Sequence, residues 1–169
     1  MRTLYREVLL PVLHELGRMW HVGDITIAEE HFATATTQQV MAQLMAGAER
    51  KAWDGRIVVS AAVEGNTHEL GARCVADFCE MAGWRCVYLG PSIPVPDLAT
   101  AAVDFGAHLL ALSATLPAHL RAVEDTITLI RQELGEQRPR IMVGGAAFNG
   151  VADLWRVYGY LAAVEVEGA

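Results

Sequence analysis

From Arg56 onward the chain repeats one pattern: a short, unbroken apolar run, then a stretch of helix length, then another apolar run. The runs are Arg56–Ala62, Arg85–Leu89, Leu109–Ser113, Arg140–Val143 and a shorter one near Tyr160–Val164. Between them lie the helix-forming stretches His68–Ala82, Pro96–Phe105, Ala118–Leu134 and Val151–Arg156. Strands alternating with helices pair in parallel through right-handed crossovers. Runs that are apolar throughout, rather than at every second residue, fit strands covered on both faces. The pattern predicts an α/β fold with a doubly wound, parallel, five-stranded sheet. Ligands of such sheets bind beyond the carboxyl ends of the strands.

The first fifty residues follow a different period. Leu4, Val8, Leu9, Val12, Leu13, Leu16, Met19 and Trp20 line one side of a helix spanning 3–20. Pro11 lies inside it and predicts a kink near the second turn. Gly23 offers a helix end, and Asp24 continues the turn. Thr26-Ile27-Ala28-Glu29 is a capping-box pattern that opens a second helix of about twenty residues. Its apolar seam is Val40, Met41, Leu44 and Met45, while Glu30, His31 and Thr34 share another side. Such a hairpin cannot bury both faces alone. It should pack on the following domain, on a second copy of the chain, or on helices from elsewhere. With Gly47 to Asp54 as linker, the expected domains are 1–50, helical, and 55–169, α/β.

Composition narrows the function. At 53% hydrophobic residues the chain can bury a sizeable core. The net charge is −7, with 13 basic residues against 20 acidic, and Lys51 is the only lysine. Direct nucleic-acid binding needs Lys and Arg to neutralise phosphates, so it is not expected. No apolar stretch reaches membrane-spanning length, and Arg2, Arg6 and Glu7 break any signal-peptide pattern, so a cytoplasmic protein is expected. Cys74, Cys79 and Cys86 make no CxxC pair and read as small buried residues. There is no P-loop, GxGxxG fingerprint, GxSxG elbow or paired-carboxylate loop, so no enzyme activity of the chain's own is expected.

Three loops should gather at the carboxyl edge of the sheet. The first is Glu64-Gly65-Asn66-Thr67-His68, followed by Gly71, which lets the next helix pack closely. The second follows Ser113 and carries Thr115 and Leu116. The third is Gly144-Gly145-Ala146-Ala147-Phe148-Asn149-Gly150, whose glycine pair allows backbone to approach something bulky. His14, Asp24, His108 and His119 read as ordinary surface or turn residues.

These loops resemble those of the cobalamin-binding domain shared by methionine synthase, corrinoid proteins, B12-dependent mutases and light-sensing B12 repressors. That family's Asp-x-His-x-x-Gly loop is matched by Asn66-x-His68-x-x-Gly71, its Ser-x-Thr element by Ser113-x-Thr115, and its Gly-Gly by Gly144-Gly145. The resemblance implies a Rossmann-like, flavodoxin-like domain in which His68 is the lower axial ligand of cobalt. The displaced dimethylbenzimidazole tail would run past Ser113, Thr115, Leu116, the glycine pair and Phe148, with Glu64, Gly65, Asn66 and Thr67 around the histidine. Light-sensing members carry Trp, nine residues, then Glu-His on helices above the corrin. Here Trp20 is followed by nine residues and Glu30-His31. The resemblance implies an upper pocket made by Trp20, Glu30 and His31, with His21 as a possible upper cobalt ligand after photolysis.

Two departures stand out. The family's aspartate is Asn66, whose neutral oxygen orients an imidazole but gives it less push than a carboxylate, unless Glu64 substitutes. The family's cap is usually a four-helix bundle, and only its last two helices are matched, so a second copy or a partner protein is expected to complete it. The main expectation is a light-sensing or signalling module that holds adenosylcobalamin and switches on photolysis. Methyl- and hydroxocobalamin are the alternative forms of the cofactor. The alternatives are a corrinoid carrier serving as a methyltransferase subunit, or the B12-binding portion of a mutase.

Overall fold

The computed structural model describes residues 1–135 and 139–148 together with the short strand Leu161–Ala162. It divides into two compact units, Met1–Glu49 and Arg50–Ala169.

The first unit is a helical hairpin. Helices α1 (Arg2–Leu4) and α2 (Leu10–His21) are joined by a π-helical turn at Tyr5–Leu9, and α3 (Ile27–Ala46) packs back on α2. The expected kink at Pro11 is absorbed by that wide turn. Proline has no N–H for the carbonyl four residues back, and its ring crowds that carbonyl. Here Leu10 N–H donates instead to the Tyr5 carbonyl, five residues back. The capping box at Thr26 is complete: Glu29 N–H donates to Thr26 Oγ1 at 3.3 Å, and Thr26 N–H to Glu29 Oε2 at 2.8 Å. The bonds that the Thr26 N–H and hydroxyl donate to Oε2 hold the Glu29 carboxyl below its ordinary pKa.

The second unit is the parallel sheet. Its strands are β1 (Ile57–Val63), β2 (Arg85–Ile93), β3 (Leu109–Ser113), β4 (Arg140–Gly144) and β5 (Leu161–Ala162). They lie in the order β2-β1-β3-β4-β5, every neighbouring pair parallel. The order reverses between β1 and β3, which puts the ligand-binding crevice of such a sheet at their carboxyl ends. Helices α4 (Leu70–Met81), α5 (Val95–Asp104) and α6 (Leu120–Leu134) form the crossovers. Val59, Ala61, Val63, Leu110, Leu112 and Val143 from the strands meet Leu98, Val123, Ile127 and Ile130 from the helices in one core. The expected helix at Val151–Arg156 lies outside the described residues. Among those residues, no helix is long and apolar enough to cross a membrane.

Two boundaries bear on the site. Strand β2 runs to Ile93, four residues beyond the expected end, and carries Ser92 at φ 51, a left-handed conformation. Helix α4 begins at Leu70 rather than His68, so the histidine stands on a loop before the helix. The registry Ala62↔Ser113↔Gly144 aligns the ends of β1, β3 and β4 at one edge.

Candidate functional site at the carboxyl edge of the sheet

Asn66 is the centre of the edge. It is fully buried, and each of its polar groups is engaged. Its backbone N–H donates to the Val63 carbonyl at 2.9 Å, and its carbonyl accepts from Ser92 N–H at 3.0 Å. Its side-chain Nδ2 donates to the Ser113 carbonyl at 2.9 Å, tying the loop after β1 to the end of β3. Its Oδ1 accepts the His68 backbone N–H at 3.1 Å and lies 3.3 Å from His68 Nδ1.

That last contact sets the chemistry of His68. An amide oxygen can only accept, so the ring proton sits on Nδ1 and Nε2 carries the lone pair. Among the described residues Nε2 has no hydrogen-bond partner, and His68 is exposed at the edge. A buried side chain thus holds an outward-facing imidazole in the tautomer a metal ligand requires.

The structure also explains why asparagine can stand where the family pattern has aspartate. A carboxylate would set oxygen against the Ser113 carbonyl oxygen; the amide nitrogen makes a bond there instead. Glu64 does not take over the ring, as it is placed elsewhere: its Oε2 accepts the Val95 N–H at 3.3 Å, at the start of α5.

The loop of His68 is braced from the side by β2. Ser92 Oγ accepts the Gly65 N–H at 3.1 Å. Tyr88 Oη donates to Glu69 Oε2 at 2.6 Å, one residue past His68. Burial first, and then the Glu69 carboxylate, push the Tyr88 hydroxyl above its usual range, so it keeps the proton that makes this bond. Ser92 and Tyr88 were not among the expected site residues: apolar periodicity gave no reason to extend β2 to Ser92, and nothing in the run Arg85–Leu89 tied Tyr88 to Glu69.

The other two loops lie alongside. Ser113 is nearly buried, and its Oγ is 3.6 Å from where a Cβ on Gly71 would sit, so Gly71 does bring α4 close to this edge. Thr115 is half-buried, while Leu116 and Thr67 are exposed. The glycine pair serves the protein's own backbone. At φ 104, Gly145 would place a Cβ 2.3 Å from the Ala114 carbonyl oxygen. Ala114 N–H donates to Gly144 O at 2.9 Å, and Ala147 N–H to Ala114 O at 3.2 Å. Phe148 packs against the core. Asn149 and Gly150 lie outside the described residues.

His119, read from the sequence as ordinary, is buried at this edge. Its Nδ1 accepts the Leu116 N–H at 3.1 Å. Burial, reinforced by the charge of His68, lowers its pKa, against a backbone hydrogen-bonding contribution from Gly65. The available signal was a polar ring three residues after the loop's end, the spacing of a helix-start cap. His108, by contrast, is ordinary: its Nδ1 accepts the Ile57 N–H at the amino ends of the strands. A concavity of about 410 Å³ also lies at that end, lined by Arg50, Lys51, Trp53, Glu80, Gly83, Trp84 and Arg85. It is on the wrong side of a parallel sheet for the ligand.

The hairpin residues are held differently. Trp20 and His21 end α2, and about half of Trp20 is exposed. Glu30 Oε1 accepts from Thr34 Oγ1 at 2.8 Å, and its Oε2 lies 3.6 Å from His31 Nε2.

A parallel sheet with one oriented imidazole at its switch point defines a ligand-holding α/β domain. The comparisons with known proteins supply the ligand. A B12 binding domain model matches residues 56–169, and a second B12 binding domain model matches residues 1–45. The chain belongs to the B12-binding domain family. It is 30% identical over 135 residues to dimethylamine corrinoid protein 3 of Methanosarcina acetivorans, covering 80% of this chain and 61% of that protein. It is 31% identical over 143 residues to the HTH-type transcriptional repressor CarH of Myxococcus xanthus, covering 85% of this chain and 47% of that one. The chain thus spans about half to three-fifths of the length of these relatives. The monomethylamine corrinoid protein of Methanosarcina barkeri shares the fold, with TM-score 0.72 at 20% identity over 89% of this chain and 71% of that one.

Proposed function

We propose that the chain is a corrinoid carrier module that presents cobalamin to a partner methyltransferase. The observation that carries the cofactor assignment is the Asn66–His68 pair: a buried amide fixes Nδ1–H, which leaves Nε2 outward at the switch point. The donor set fits a corrinoid, since it offers one neutral nitrogen to a metal whose equatorial positions the macrocycle fills. His68 would be the lower axial ligand. Ser113, Thr115, Leu116, Gly144 and Gly145 would line the path of the displaced tail. Bound there, the cofactor would supply a cobalt-bound upper group that a partner enzyme can transfer as methyl or that light can release. The chain's own part is to hold His68 in one tautomer and keep three loops in register.

The carrier reading is favoured over light sensing by the relatives, which include dimethylamine corrinoid proteins of Methanosarcina acetivorans and Methanosarcina mazei. A structural neighbour described as a methanol:cobalamin methyltransferase complex suggests the kind of partner, an enzyme that docks on the carrier. One feature keeps the sensor as a second reading: Trp20 followed by nine residues and Glu30-His31, together with the likeness to CarH. In that reading adenosylcobalamin is the cofactor, Trp20, Glu30 and His31 surround the upper group, and His21 takes its place after light.

The two separate in one experiment. The protein is loaded in the dark with methylcobalamin or adenosylcobalamin, then illuminated with green light and followed by absorption and size-exclusion chromatography. A carrier takes both forms with affinities within about tenfold, a gap of 1.4 kcal/mol, and keeps its mass in light. A sensor prefers the adenosyl form, changes mass, and holds a photoproduct that His21→Ala abolishes.

A further inference from the structure

We propose that His119 is a positioning residue of the cobalamin site, a neutral bridge that holds the loop after β3 against the loop that carries His68. The inference rests on the reading of this edge as the cobalamin site, and its first test does not. His119 is the last residue of the 3-10 turn Pro117–His119 and the one before α6, so its backbone is set between two helical elements. The side chain turns back to the edge. Nδ1 accepts the Leu116 N–H at 3.1 Å, which places the proton of the neutral ring on Nε2. On the far side, Cδ2, the ring atom next to Nε2, lies 4.0 Å from where a Cβ on Gly65 would be. Gly65 has φ 79, a left-handed conformation that favours glycine, and at this distance its backbone is in ordinary van der Waals reach of the ring.

One buried ring therefore touches both loops that flank the switch point. Asn66 joins the same loops from the other side, through its bond to the Ser113 carbonyl. The two ties act in parallel: Asn66 fixes the root of the slot, at the strand ends, and His119 fixes its outer wall at Leu116. Leu116 is half exposed and Thr115 half-buried, so apart from the His119 ring this wall is held by its strand end and by the backbone bond from the His119 N–H to the Leu116 carbonyl at 2.9 Å. A slot of constant width would favour insertion of a rigid aromatic tail over a disordered one.

The first test uses the protein without cofactor. Two-bond 1H–15N spectra near neutral pH should show His119 as the Nε2–H tautomer; an Nδ1–H ring overturns the proposal. The second compares His119→Leu with His119→Asn, using hydroxocobalamin as the probe. Leucine keeps the volume and loses the acceptor, and release should quicken about tenfold, as expected for one lost hydrogen bond. Asparagine restores an acceptor near Nδ1, and release should return to within about threefold of the parent, a fraction of one hydrogen bond. Equal rates for parent and leucine variant, or equal acceleration by both substitutions, contradict the bridge. Should the leucine variant not fold, the tautomer and the asparagine variant decide. If the parent itself binds hydroxocobalamin without a histidine-ligated spectrum, the assignment of the site fails, whatever the tautomer of His119.

Discussion

The loop after β1 and the α2–α3 hairpin each carry a histidine beside a polar neighbour, yet they are built differently. His68 is over-determined. Its backbone and ring both bond to a buried asparagine, which is tied in turn to Val63, Ser92 and Ser113. Trp20 and His21 end α2 and His31 lies in the second turn of α3, which starts at the capping box of Thr26, while all three residues are exposed. The difference teaches how a cofactor domain divides its work. A lower ligand must be preorganised, because a wrong tautomer or a tilted ring loses the metal. In the sensor reading, where Trp20, His21 and His31 would answer the upper ligand, residues in that role must be able to rearrange.

The largest blow to the rigid side should come from Gly145→Ala. The substitution forces a left-handed residue into the Ala114 backbone and should cost about 3 kcal/mol, read by denaturant unfolding of the cofactor-free protein. A loss below about 1 kcal/mol would mean that the loop after β4 is not locked. Asn66→Ala should cost about 2 kcal/mol, since the Ser113 carbonyl and the His68 ring lose their partner, and it should abolish histidine ligation of bound cobalamin.

Asn66→Asp sharpens the point. Near neutral pH a buried carboxylate facing the Ser113 carbonyl should destabilise the fold by about 1–3 kcal/mol. Its pKa is raised in the fold, so the deficit should shrink as pH falls through that raised value, where the protonated acid can donate. A variant more stable than the parent at neutral pH would restore the expectation that asparagine is merely a weaker aspartate. In the helical hairpin, Thr26→Ala should cost about 1 kcal/mol, with hydrogen-exchange protection lost in α3 and unchanged in the sheet. Smallest of all, His68→Ala should shift stability by no more than about 0.5 kcal/mol, because the ring is exposed, while removing the metal's nitrogen ligand.

The sheet was legible because both-face burial leaves unbroken apolar runs such as Leu109–Ser113, and the capping box gave the start of α3 outright. The extension of β2 was not, since Gly90, Pro91 and Ser92 read as a turn. They continue pairing only because β1 and the Asn66 backbone lie beside them. His68 was found through its motif. His119 and Tyr88 were missed because their importance comes from partners far away in the chain, Gly65 and Glu69, which only the fold brings near. The glycine pair was recognised, and the close approach of Gly145 to the Ala114 backbone is a further reason for glycine there that the sequence did not show.

The central claim, that His68 offers Nε2 to cobalt, is tested most directly by electron paramagnetic resonance of the cob(II)alamin-loaded protein prepared with and without 15N-histidine. The account predicts that the nitrogen splitting of the cobalt lines changes from triplets to doublets on labelling and disappears in His68→Ala. Splitting that stays in triplets with labelled protein would show that the cofactor's own base still holds the lower position, and would contradict the account.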